Sequence, residues 1–186
     1  NDILDNIAQF TKQTEPQQPL PFPLPWIREA PFKKYEVNVI VDNSTLKGAP
    51  VIMEFNPTYQ NLFGTTEKEV QFGALITDFT MIRGGSLHKA NGGYLIIPVE
   101  DLLLNPFAYE GLKRALRDGK IIIEEPQERF GFISTKSLKP QPIPLKVKVI
   151  LIGSPYLYQQ LYLLDMDFAE LFKVKAEFDT TMLSTE

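Results

Sequence analysis

The chain has 186 residues, 44% hydrophobic and 23% charged, and a net charge of −4 from 19 basic and 23 acidic side chains. At roughly 150 residues per domain that is one domain with an appendage, and the acidic balance leaves no large basic face for non-specific nucleic-acid binding. With no cysteine and a single histidine, His88, a disulfide scaffold, a thiolate zinc site, an iron–sulfur cluster, a Cys nucleophile and a multi-His metal site are all excluded.

No G-x-S-x-G elbow accompanies His88, so a serine triad is not expected. No apolar run approaches the roughly 18 residues of a membrane span. No signal-peptide pattern opens the sequence, and the expected setting is a reducing cytoplasm. The chain starts at Asn1 without Met and reads as a piece of something longer.

Ile3, Leu4, Ile7 and Phe10 have helical spacing, as in the end of an amphipathic helix. Residues 14–31 then carry six prolines, with Leu20, Phe22, Leu24 and Trp26 alternating with Pro21, Pro23 and Pro25. Proline forbids a helix there and favours an extended path. Residues 1–34 are therefore expected as a helix end plus a Pro-rich linker. The linker is either docked on the domain or a ligand for a proline-reading partner. Residues 35–186 are expected as an α/β domain.

Val37 to Val41 and Val51 to Phe55 read as strands. Asn56-Pro57, Asn105-Pro106 and Ser154-Pro155 each place a capping side chain before proline and predict three helix starts. The second helix is the clearest, over about 106–118. Ala108, Leu112, Ala115 and Leu116 form its stripe, Lys113, Arg114 and Arg117 face water, and Gly119 ends it. Tyr94 to Ile97 and Val147 to Ile152 are apolar without alternation, as in a parallel sheet covered on both faces. Ile121 to Glu125 and Phe130 to Ser134 predict an inserted hairpin, and Val174 to Phe178 a last strand.

The richest stretch is Gly84 to Leu103, GGSLHKANGGYLIIPVEDLL. A short helix ends at Asn91-Gly92-Gly93, a buried strand follows, and the next residues emerge at that strand's carboxyl end. Open α/β sheets bind ligands there. His88 is expected to pack or cap at the end of its short helix, with positive charge suiting the helix dipole. Glu100 and Asp101 are either displaced metal-shell acids or have an N-terminal charge role in the loop before the helix that opens at Asn105, and the second reading is preferred.

The segments NPTYQNLFG (Asn56 to Gly64), GGSLHKANGGY (Gly84 to Tyr94) and NPFAYEGLKRALR (Asn105 to Arg117), with Val147 to Phe178 containing DMDFAELFKVKAEF, resemble the Lon-related proteases. The likeness is to their AAA+ module, over about residues 35–180. It implies a three-layer α/β sheet with helices on both faces, incomplete here because no strand with a phosphate loop is present. It also implies ring assembly, handling of protein substrates, and ATP with magnesium as family cofactors. The Ser–Lys peptidase would lie outside this chain, and no catalytic or metal-binding residue is expected within it. No G-x-x-x-x-G-K-[ST] occurs. Pro98 stands at the Walker B aspartate position, Ser154 at the polar sensor position, and Val174 at the arginine-finger position between Lys173 and Lys175.

These departures argue against ATP hydrolysis at this site, and no bound nucleotide is expected. If nucleotide is contacted at all, Asp101, Ser154, Lys173 and Lys175 are the candidates. Residues 71–83 occupy the place of a pore loop in such rings. Phe72, Phe79 and Met81 there are candidates for gripping unfolded polypeptide, against the alternative of a covered β-ribbon. The hairpin turn at Pro126 to Phe130 is a second pore candidate. The rival functions are a non-catalytic assembly scaffold, an ATP-independent Lon-like protease module, and a DNA-remodelling AAA+ ATPase, which the charge disfavours.

Overall fold

A computed structural model describes residues 35–71, 74–124 and 138–179. The chain divides into two compact units, Asn1–Asn38 and Val39–Glu186. Only residues 35–38 of the first are described, so the linker expected there, with its apolar–proline alternation, lies outside the described residues. In chain order the second unit contains β1 (Val51–Met53), α1 (Tyr59–Phe63), β2 (Thr65–Thr66), β3 (Glu69–Gln71), β4 (Ala74–Ile76), β5 (Ile82–Arg83), α2 (Ser86–Lys89), β6 (Tyr94–Pro98), α3 (Val99–Leu103), α4 (Pro106–Asp118), β7 (Lys120–Ile121), β8 (Ile143–Pro144), β9 (Lys148–Ile152), α5 (Pro155–Leu164) and α6 (Met166–Leu171).

The frame is a three-stranded sheet in the order β1-β6-β9. Both pairings are parallel, with Val51 opposite Tyr94 and Tyr94 opposite Lys148. The unalternating apolar runs thus become parallel strands joined by helical crossovers, and the fold is α/β. The entry into β6 depends on close backbone approach. The Tyr94 N–H donates to Pro50 O at 2.8 Å. A Cβ on Gly93 would lie 2.0 Å from that same carbonyl oxygen, so no other residue fits without moving β1.

One face of the sheet holds the core. Leu95 and Ile97 of β6 are fully buried against Leu62 and Phe63 of α1, Leu87 of α2, Leu102 of α3 and Ala108, Leu112 and Ala115 of α4. Each large side chain so buried contributes roughly 1.5–3 kcal/mol. On the opposite face Val51, Met53, Tyr94, Ile150 and Ile152 are exposed. The cover expected on both faces is thus in place on one. The far edge of β9 pairs with no other described strand.

Local signals set most helix ends. α4 starts with Pro106 at its first turn and ends at Gly119 in the left-handed conformation. Ser154 caps α5, its hydroxyl accepting from the Leu157 N–H at 3.3 Å. Asn105 does not cap through its side chain; its Nδ2 donates to Asp101 O instead. The expected cap at Asn56 is corrected too. Thr58 caps α1, accepting from the Asn61 N–H at 3.2 Å. Asn56 forms the preceding turn, its carbonyl taking the Thr58 N–H and the Asn61 Nδ2.

Two expected strands do not form. Residues 37–41 and 172–179 carry no regular structure, because a β-prone run becomes a strand only where a neighbour offers a ladder. Ile40 instead lies over Gly84, where a Cβ would come within 2.3 Å of its Cγ2. The strand expected at Ile121 to Glu125 is two residues long, and β7 pairs antiparallel with β8. The hairpin turn, with its pore candidate at Pro126 to Phe130, lies outside the described residues.

Candidate functional site

Because the sheet is parallel, its three carboxyl ends share one edge. β1 runs into Glu54. Its N–H donates to Ile96 O at 2.9 Å, and its carboxylate accepts from the Asn56 N–H at 2.9 Å and from the Ser86 hydroxyl at the start of α2. β6 ends at Pro98, which is at once the N-cap residue of α3. Proline has no side-chain oxygen, so no side chain at that position holds a cation. α3 turns immediately and presents Glu100 and Asp101 in its first turn.

Glu100 is the acid that reaches the neighbouring strand. Its Oε1 accepts from the Ser154 N–H at 3.3 Å. A Cβ on Gly153 would sit 3.3 Å from both carboxylate oxygens, so the Glu100 carboxylate lies against the Gly153 backbone. Asp101 is half-buried, and its carbonyl accepts from Asn105. Ser154 spends its hydroxyl on the cap of α5 and its amide on Glu100. Of the sequence candidates, Ser154 therefore stands at this edge, beside Glu100 rather than Asp101. The missed signal was an acidic first turn directly after β6, which starts a helix before Asn105.

His88 is 6% exposed. Its Nδ1 accepts from the Gly85 N–H at 3.2 Å, closing the start of α2. The proton is then on Nε2, which has no hydrogen-bond partner among the described residues. Burial pulls the imidazole pKa down to about 4. His88 thus packs, as one of the two expectations had it, but the partial positive charge expected at the helix end is corrected: with Nδ1 accepting, the imidazole closes the beginning of α2 instead.

Lys173 is exposed, and Lys175 is held by its own surroundings. The Lys175 ammonium lies 4.7 Å from the centre of the Tyr158 ring and pairs with Glu177. Phe72 lies outside the described residues. β3 and β4 form a separate antiparallel ribbon with Glu69 opposite Ile76. Phe79 and Met81 follow on a single 3-10 turn and are half-buried. Asp78 caps that turn by accepting from the Thr80 N–H at 2.7 Å. The Glu67 N–H donates to Met81 O at 2.9 Å, which ties the turn to the ribbon's base. Val70 and Ile76 of the ribbon are exposed.

A second polar cluster was not legible in the sequence. Lys113, expected in water, is 5% exposed. Its Nζ lies 2.8 Å from Glu110, 2.9 Å from Asp165 and 3.7 Å from Asp167. The Tyr109 hydroxyl donates to Asp165 at 2.6 Å, and Arg117 pairs with Asp167 at 2.9 Å. Burial alone would lower the Lys113 pKa, but the hydrogen bonds to Asp165 and Glu110 outweigh it and raise the value. Burial alone would raise Asp165, but Lys113 and Tyr109 outweigh it and hold the carboxyl below its usual range. Burial first, then the Asp165 carboxylate, pushes the Tyr109 phenol up.

Among the described residues no group of three or more His, Cys, Asp or Glu side chains is arranged to hold a metal. None of their helices is long and apolar enough to cross a membrane.

The family model of the LonB-like AAA domain matches residues 47–179. The match takes in the sheet, both helical crossovers and the Lys113 cluster. A protein of Escherichia coli (strain K12) named "Putative Lon protease homolog" is 30% identical over 128 residues, which cover 66% of this chain and 19% of that protein. The chain thus spans about a fifth of the length of the curated relative it matches. The motif likeness, the parallel α/β frame and a family match over more than half its length agree, and the chain belongs to the LonB-like AAA domain family.

Proposed function

We propose that this chain is the part of a Lon-related protease that contacts protein substrate and neighbouring subunits of a cytoplasmic ring, and that its own sheet edge does not hydrolyse nucleotide. The observation that carries this reading is at the end of β6. Pro98, at the position the resemblance implies for the metal-shell acid, brings no side-chain oxygen, and Glu100, two residues on, has its Oε1 on the Ser154 amide. Magnesium asks for oxygen ligands in near-octahedral array, and these residues do not fit a magnesium–nucleotide complex. No phosphate loop occurs in the sequence to cradle the phosphates. Work done on substrate then comes from elsewhere in the longer protein, or the module acts without ATP.

The expected result is that calorimetry on the 186-residue chain with magnesium–ATP at submillimolar concentration gives no binding heat. A micromolar affinity would sink this reading.

The β9 edge, which no described strand pairs, and the exposed apolar side chains on the second face of the sheet support assignment to a larger three-layer module. A parallel sheet is covered on both faces, and unpaired edge groups seek partners. The remainder of the longer protein is the natural cover. Ring assembly gives Lys173 and Lys175 a role at the next subunit, as point charges rather than as an arginine's fork.

The β3–β4 ribbon and the turn at Phe79 are the substrate-gripping element of this reading. Non-directional contact by apolar side chains suits an unfolded chain of any sequence. In the full-length protein, Phe79→Ala is expected to slow degradation of an unfolded protein about tenfold, the equivalent of ~1.4 kcal/mol. Cleavage of a short peptide should be nearly unchanged, because a peptide diffuses in while a long chain must be gripped. Equal loss of both activities would remove Phe79 from the gripping role.

A further inference from the structure

The Lys113 cluster joins two helices that lie about fifty residues apart in sequence. Tyr109, Lys113 and Arg117 follow each other at four-residue spacing, one stripe along α4. Asp165 and Asp167 at the start of α6 meet that stripe. Asp165 serves two purposes. Its Oδ1 accepts from the Asp167 N–H and caps α6, while its Oδ2 takes the Tyr109 hydroxyl and the Lys113 ammonium. The cap is therefore locked to α4.

An apolar anchor already holds α6 at one point. Phe168 is buried, edge-on to Tyr158 and tilted against Phe172. One anchor leaves rotation about itself free, and the two carboxylates remove that freedom. No slack follows. The Phe172 N–H donates to Phe168 O at 2.9 Å, Lys173 comes next, and Lys175 rests on the Tyr158 ring. A buried ion pair seldom adds net stability over an apolar packing of similar volume. What this one supplies is direction.

We propose that Lys113 and Asp165 are positioning residues that fix the angle at which the chain leaves α6 and so aim Lys173 and Lys175. The proposal rests on the reading that these lysines act at a neighbouring subunit.

Hydrogen exchange on the 186-residue chain tests the tether without any ring. Asp165→Asn keeps one oxygen for the cap, puts an amide NH2 where Oδ2 took Tyr109 and Lys113, and removes the charge. Lys113→Met keeps the packing. Both are expected to speed exchange of amides 167–172, the hydrogen-bonded amides of α6, about tenfold, while amides of α4 and of Leu95 to Ile97 stay within about twofold. A pH series adds a readout that packing alone would not move. The groups around Asp165 are Tyr109 and Lys113 of α4, with Glu110 and Arg117 beside them, and Asp167 on its own helix. The Asp165 carboxyl sits below its usual range, so the tether is complete above the unfolded value and is lost as pH falls through the folded one. Corrected for intrinsic rates, protection of 167–172 should fall with that titration in the unsubstituted chain and stay flat in Asp165→Asn. Unchanged exchange in both variants, or a uniform rise throughout the chain, overturns the tether.

In the full-length protein, Lys173→Ala with Lys175→Ala should slow protein degradation, and adding Lys113→Met should slow it no further. An additive loss overturns positioning. A lysine pair without effect overturns the subunit reading and the aim with it, and the exchange data separate that outcome from failure of the tether.

Discussion

Gly64→Ala is expected to destabilise the chain by about 2–6 kcal/mol. Gly64 follows α1 with φ 84° and ψ −177°, a region open in practice to glycine alone and costing roughly 1–3 kcal/mol for other residues. A Cβ there would also lie 2.2 Å from Arg83 O and 3.0 Å from Gly85 N. Both are backbone atoms, so relief requires moving β5 or the start of α2, and forced overpacking costs about 1–3 kcal/mol more. In a chain of this size the thermal midpoint should drop on the order of 10 °C. An unmoved midpoint would show that the α1–β2 turn has another conformation in solution.

Phe63→Ala is the second large effect, at about 3–5 kcal/mol. Phe63 is 1% exposed. It stacks on Tyr59 with ring centres 4.6 Å apart, and its ring edge would lie 2.9 Å from a Cβ on Gly111. Truncation therefore leaves a cavity walled by α1 and α4, two helices that cannot close on each other without disturbing β6. Urea denaturation should show the midpoint fall with little change in slope. Phe79→Ala is the internal contrast, since Phe79 is half-buried. If the two variants lose equal stability, Phe79 is a core residue and its gripping role fails.

The parts legible in the sequence are those decided within a few residues. Proline at the first turn of α4, Gly119 after its last, and the Ser154 hydroxyl before α5 act locally, so helix ends there came within a residue of expectation. The parallel strands were legible because an apolar run without alternation is itself a burial pattern. What escaped depended on distance along the chain. Lys113 looks like a solvent-facing lysine on α4 until Asp165, 52 residues later, supplies the opposing charge. His88 looks like a cation until burial and the Gly85 amide make it neutral. Val37 to Val41 and Val174 to Phe178 have strand composition but no ladder beside them. Glu100 replaced Asp101 at the sheet edge because α3 starts one residue after Pro98, which sets the phase of every later side chain.

The register of the sheet also bears on how the chain reaches this state. Val51 meets Tyr94 and Tyr94 meets Lys148, so neither pairing can begin as a local hairpin. Closing loops of that length costs roughly 3.5 kcal/mol of chain entropy each before any ladder bond is returned. α4 needs no such closure, being 13 residues of nearby contacts between the two later strands. Folding should therefore be paced by topology rather than by helix formation, with refolding of the sheet far slower than the sub-microsecond to microsecond scale of α4. During synthesis the central strand waits until Ile152 has emerged before both its edges are occupied.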